Sequence, residues 1–177
     1  SCEVVLDETV MPEFLKKDLL ENRIRRIFFV GQGTAGVAAL ACANILNHYM
    51  NDPGIQISSL KSSELSGFAL QDDPGSMADS LTIAITQSGT TTDTNRTVDM
   101  VRARGGRTIA IVNRRDSDIT FKVDGVMYTS SGRDIEMSVA STKAFYAQIV
   151  AGALLSLYIA RLKGRRDGAF VTGELRR

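Results

Sequence analysis

The chain has one histidine, two cysteines and three prolines in 177 residues. Cys2 lies at the terminus and Cys42 in an apolar helical run, and two scattered cysteines make neither a disulfide framework nor a zinc site. That usage fits a reducing cytoplasm, and no metal or cofactor is expected. With His48 as the only imidazole, acid–base chemistry has few groups to draw on. A formal net charge of +1 gives no global pull on nucleic acid or on an anionic membrane, so neither is an expected partner. The first residues include Glu3, Asp7 and Glu8 and lack the basic start of a signal peptide. The longest apolar run, Ile149 to Ala160, is too short to span a bilayer and contains Gly152 and Ser156. No G-x-x-x-x-G-K-[ST] phosphate loop occurs.

What is present is a globular composition, 44% apolar and 23% charged. Strand-like and helix-like segments alternate. Apolar spacing predicts a helix over Val10 to Asn22 with Thr9 as its cap. Strands are expected at Arg26 to Val30, Ile55 to Leu60, Ser80 to Thr86, Thr108 to Val112 and Val123 to Tyr128. Helices are expected at Thr34 to Met50, Thr92 to Arg104 and Ser138 to Leu162, with a short one over Ser62 to Ala69. The alternation implies an α/β fold, a doubly wound five-stranded parallel sheet flanked by helices. One domain over 1–177 is expected, with its core at about 24–163, an N-terminal helix before it and a polar tail after it. Because the chain begins at Ser1, it is expected to be part of a longer protein.

Two strand-to-helix loops carry the chemistry. Gly31-Gln32-Gly33-Thr34-Ala35-Gly36 fits G-x-G-x-x-G, which serves a dinucleotide site, another anion site or only a tight turn. The acidic residue that a dinucleotide site wants after the second strand is missing from Ser58-Ser59-Leu60-Lys61-Ser62-Ser63; Glu64 comes slightly later. The second loop, Thr86-Gln87-Ser88-Gly89-Thr90-Thr91-Thr92, packs hydroxyls around one glycine. Hydroxyls and the free N–H groups of a first helical turn converge on a phosphate without any lysine or arginine. Capping alone needs one such residue.

The string Gln87-Ser88-Gly89-x-Thr91-x-Asp93-Thr94 resembles the signature of the sugar-isomerase (SIS) domain family. The later string Val139-Ala140-Ser141-Thr142-Lys143-Ala144-Phe145 resembles a segment of the glutamine–fructose-6-phosphate aminotransferases within that family. The resemblance runs in order from Ile27 to about Leu162. It implies a flavodoxin-like sheet that binds a hexose 6-phosphate such as fructose 6-phosphate or glucosamine 6-phosphate. It places phosphate on Thr86, Gln87, Ser88, Gly89 and Thr91, and sugar on Gly31, Gln32, Gly33, Thr34, Val139, Ala140 and Ser141. It also implies a homodimer or a second SIS domain in a longer chain of aminotransferase or isomerase type; a stand-alone sugar-phosphate-sensing regulatory domain and a small oligomeric phosphosugar isomerase are the alternative readings. Isomerase-active relatives often carry a catalytic glutamate near Glu64, so Glu64 is the candidate base, beside its plainer reading as a solvated carboxylate. Lys143 reads as a helix-start residue and His48 as a helix C-terminal one, at the wrong end of the fold for the site. The glutamate usual after the aminotransferases' Gln-Ser-Gly is Thr90 here, which leaves the identity of the sugar open.

Overall fold

The computed structural model describes residues 2–69, 75–130 and 142–176. Five parallel strands form one sheet: β1 (Arg26–Gly31), β2 (Gln56–Lys61), β3 (Ser80–Thr86), β4 (Arg107–Val112) and β5 (Gly125–Tyr128), in the order β2-β1-β3-β4-β5. The longer helices are α1 (Glu13–Leu20), α2 (Thr34–Met50), α3 (Thr92–Ala103), α4 (Thr142–Leu162) and α5 (Gly168–Glu174), and the short helix expected over Ser62 to Ala69 is present as an α-turn (Ser62–Glu64) that runs into a π-turn (Leu65–Ala69). This is the expected doubly wound α/β sheet, and its order reverses between β1 and β3.

Alternation along each strand feeds two cores. Ile27, Phe29, Leu81, Ile83, Ile85, Ile109 and Ile111 face α1, α2, α4 and α5. Phe28, Val30, Ala84, Ala110 and Val112 face Val98 and Val101 of α3. Burying each large aliphatic or aromatic side chain contributes about 1.5–3 kcal/mol. α4 is long and apolar enough to cross a bilayer by length and composition, but Ala151, Gly152, Leu155, Ile159 and Ala160 are buried in this core. A Cβ on Gly152 would stand 3.0 Å from Cys42 Cβ and closer still to its Sγ, so α2 and α4 touch backbone to side chain there.

Three differences from expectation exceed a single residue. The first helix starts at Glu13 and not at Val10, because Pro12 has no N–H and a fixed φ and so opens helices rather than continuing them. Thr9 does not cap it: its hydroxyl donates to the Asp7 carboxylate, the Thr9 and Val10 N–H groups donate there too, and together they lower the Asp7 pKa. The stretch then runs along the outer edge of β5, where Val126 donates its N–H to Thr9 O at 2.7 Å and Gly125 has room for no side chain against Val10 O. β5 begins at Gly125 because a 3-10 turn over Asp118–Phe121 holds the chain back, with Lys122 and Val123 N–H on Ile119 O. The polar tail contains α5, capped by Asp167, whose carboxylate accepts from Phe170 N at 2.8 Å. Phe170 meets Tyr49 edge-on at 5.6 Å and Val171 is buried, so this segment joins the core.

α1 is pinned at the amino end of the sheet by Asp18, whose side chain is 7% exposed. Its carboxylate accepts from Arg107 Nε at 2.7 Å and Arg23 Nη1 at 3.1 Å. One residue further along α1, Lys163 donates to Leu19 O at 2.8 Å, and partial burial lowers its pKa.

Candidate functional site

β1 and β3 are adjacent and in register, Val30 opposite Ala84, so their carboxyl ends stand about 4.8 Å apart. Each runs into a glycine loop and then a helix. This is the crevice where open α/β sheets take their ligands.

The first loop is a forced turn. A Cβ on Gly31 would come 2.5 Å from Ala35 O, so the opening of α2 folds directly onto the strand end. Gly33 has φ +60 and ψ −128, a conformation that side chains rarely adopt. Gln32 leans toward the end of β2, where Ser63 donates to its Oε1 at 3.4 Å. Gly33 and Thr34 are exposed at the helix start.

The second loop is held from within and from below. Thr86 is buried, and its Oγ1 accepts from Gly89 N at 3.2 Å. Ser88 Oγ accepts from Thr90 N at 3.2 Å and from the Thr90 hydroxyl at 3.1 Å, a serine turn. Gly89 has φ +67, and a Cβ there would collide with the Ser117 side chain. Gln87 O accepts from Arg114 N at 3.1 Å, and Gly89 O from Ile119 N at 3.2 Å. Thr91 stands at the N-cap of α3, yet its hydroxyl makes no capping bond. Neither α2 nor α3 has a side-chain cap among the described residues, so both helix starts leave N–H groups at this edge. Two positive dipole ends and a fixed loop form a place where an anion is favoured over a cation.

The predicted residues therefore separate into groups. Gly31, Gln32, Gly33, Thr34, Thr86, Gln87, Ser88, Gly89 and Thr91 gather at the β1/β3 crevice. Val139, Ala140 and Ser141 lie outside the described residues. Glu64 follows β2 but turns to its own neighbours: it accepts from Lys61 N at 3.3 Å and pairs with Lys61 Nζ at 3.6 Å, with its side chain 51% exposed. His48 is exposed near the C-terminal end of α2, and its carbonyl accepts from Arg166.

Over residues 60–158 the chain matches the sequence model of the SIS domain. The chain belongs to the SIS domain family. This SIS domain is 34% identical over 164 residues to a glutamine–fructose-6-phosphate aminotransferase (isomerizing) of Corynebacterium glutamicum, covering 93% of the chain and 24% of that protein. A protein of the same name from Tropheryma whipplei is 36% identical over 160 residues, covering 89% of the chain and again 24% of the relative. The chain thus spans about a quarter of the length of the curated relatives it matches. Among solved structures, it is similar to the C-terminal domain of glucosamine-fructose-6-phosphate aminotransferase from Francisella tularensis. There the TM-score is 0.77 at 28% identity, covering 97% of this chain and 47% of that one. It also shares its fold with glucosamine-6-phosphate deaminase from Thermotoga maritima, at TM-score 0.65 and 21% identity, over 84% of this chain and 48% of that one.

Residues that sequence reasoning missed brace the crevice of this SIS domain. Ser62 and Thr94 share a buried hydroxyl bond of 3.1 Å, and Thr97 Oγ1 donates to Ser62 O at 2.8 Å. This ties the end of β2 to α3. Asn95 lies under the second loop and donates from Nδ2 to Gly89 O at 3.0 Å and to Thr91 O at 3.1 Å. A run of Thr, Asp, Thr and Asn at a helix start signals polarity, but no spacing rule announces which of them reaches backward.

Proposed function

We propose that this SIS domain binds a hexose 6-phosphate, such as fructose 6-phosphate or glucosamine 6-phosphate, within a longer aminotransferase or isomerase of amino-sugar synthesis in the cytoplasm. One observation carries the reading: two helices without side-chain caps open side by side onto the β1/β3 crevice, and one of them opens through a loop dense in hydroxyls. In this reading Thr86, Gln87, Ser88, Gly89 and Thr91 hold the phosphate. Gly31, Gln32, Gly33 and Thr34 line the sugar from one side, and Val139, Ala140 and Ser141 from the other.

Binding is the role assigned to this chain on its own. Ring opening and proton transfer need an acid and a base within reach of the sugar. Glu64 is engaged with Lys61, and His48 sits in the last turn of α2, at the far end of that helix from the crevice. The reacting groups then come from a second SIS domain, in a dimer or further along a longer chain. Val37 and Leu40 of α2, with Tyr146 and Val150 of α4, are large, apolar and exposed, which fits helices that meet such a neighbour.

Titration calorimetry with fructose 6-phosphate and glucosamine 6-phosphate tests this. Ser88→Ala and Thr91→Ala are expected to weaken binding by about 1–3 kcal/mol each, the worth of a hydrogen bond to a charged group. A wild-type chain that takes up no hexose phosphate overturns the reading. A purified chain that isomerises fructose 6-phosphate overturns the restriction to binding.

A further inference from the structure

Asn95 is 8% exposed, and its Oδ1 is buried with no hydrogen-bond partner. Its two N–H groups go to Gly89 O and Thr91 O. Those acceptors fix which way the amide points, because the flipped amide would set oxygen against two carbonyl oxygens. Neither carbonyl depends on it. Gly89 O already receives Ile119 N at 3.2 Å, and Thr91 O receives Asn95 N at 3.0 Å. The side chain thus satisfies nothing that would otherwise be orphaned, while it leaves an orphan of its own. A buried helix position of this kind favours an apolar residue on stability grounds.

We infer that Asn95 is a positioning residue for the anion site, one that acts through the loop and not by touching the ligand. Its amide spans the loop between the serine turn and the helix start and, as a second donor beside Ile119 N and Asn95 N, ties the Gly89 and Thr91 carbonyls to each other and holds both inward. Carbonyl dipoles directed into the crevice would oppose a phosphate. With them drawn inward, the N–H groups and hydroxyls of the same segment face the ligand before it arrives. The loop then loses little freedom on binding, and the phosphate meets donors that need no rearrangement. The class of ligand follows: a phosphate monoester, or another tetrahedral oxyanion, gains from this arrangement, and an uncharged sugar does not. This inference rests on the sugar-phosphate reading above.

Asn95→Leu separates positioning from support. It removes the two donations and the orphaned oxygen together while keeping side-chain bulk. The melting temperature is expected to stay within a few degrees of wild type or to rise, whereas affinity for fructose 6-phosphate falls about tenfold or more, the loss typical of a loop no longer preorganised. If melting temperature and affinity fall together, Asn95 is merely structural and the inference fails. If Asn95→Leu unfolds, Asn95→Ala is measured in the same way. Wild-type binding with either folded variant binding equally well overturns the inference and leaves the sugar-phosphate reading standing. A wild type that binds no phosphate ester overturns that reading itself.

Discussion

Gly152→Ala tests the seam where α2 and α4 touch. The new methyl would lie 3.0 Å from Cys42 Cβ and nearer still to Sγ. Carbon atoms in contact stand about 3.5–4.0 Å apart, so α2 and α4 must separate by roughly 1 Å. Overpacking of this kind costs about 1–3 kcal/mol. Alanine returns about 1 kcal/mol through its better helix propensity, so the net loss is about 0–2 kcal/mol. Cys42→Ala alone removes the sulfur and leaves a small void. In the double variant the methyl at 152 occupies that void, and the two changes compensate. Coupling of about 1–2 kcal/mol is expected, as for residues in direct contact. Urea unfolding of the four proteins, followed by circular dichroism, measures it. Strictly additive losses would refute the idea that Cys42 is what Gly152 makes room for. Since α2 starts at the Gly31–Gly33 loop, Gly152→Ala is also expected to weaken sugar-phosphate binding, and Cys42→Ala to restore part of it.

Two further predictions concern stability. Asp18→Ala is expected to cost about 1–2 kcal/mol in thermal or urea unfolding: a buried carboxylate is lost, but Arg23 and Arg107 are partly exposed and regain water. An unchanged melting temperature would remove Asp18 as the anchor of α1. Burial pushes the Cys42 thiol up to about 12 from an ordinary value of 9.0. The unfolded chain releases this proton near pH 9 while the folded one keeps it, so the contribution is whole below pH 9 and declines as pH rises toward 12. The stability difference between wild type and Cys42→Ala should shift against wild type across that window; a difference independent of pH would contradict it.

Some elements were plain in the sequence because a local signal and a tertiary requirement agreed. α2 was expected at Thr34 to Met50 and lies there, between a glycine loop and a turn that Asn51 enters with φ 42. β3 spans its expected Ser80 to Thr86, since a β-branched apolar run bounded by polar residues fits only a central strand. α5 was missed because Phe170 and Val171 are too few to make a periodic stripe; Asp167 starts the turn and Tyr49, far away in the chain, holds it. The crevice was legible as two loops, since glycine and hydroxyl residues are informative where a strand meets a helix. Asn95 was not, because its partner Gly89 lies six positions back, around a bend that exists only once Ser117 and Ile119 have packed beneath it.

Residues 7–11, where the sequence led one to expect the cap and first turn of a helix, change how the molecule meets its own kind. An outer strand of a sheet offers a row of open backbone groups to any other chain that passes. At β5 that row is interrupted by Thr9 O on Val126 N, and Val10 O fills the space beside Gly125. Here the domain closes its own sheet with a short piece of coil. Cutting the chain back past Met11 would remove little of the crevice and would turn a finished border into an adhesive one. The start point chosen for any shortened version therefore governs solubility more than it governs ligand binding.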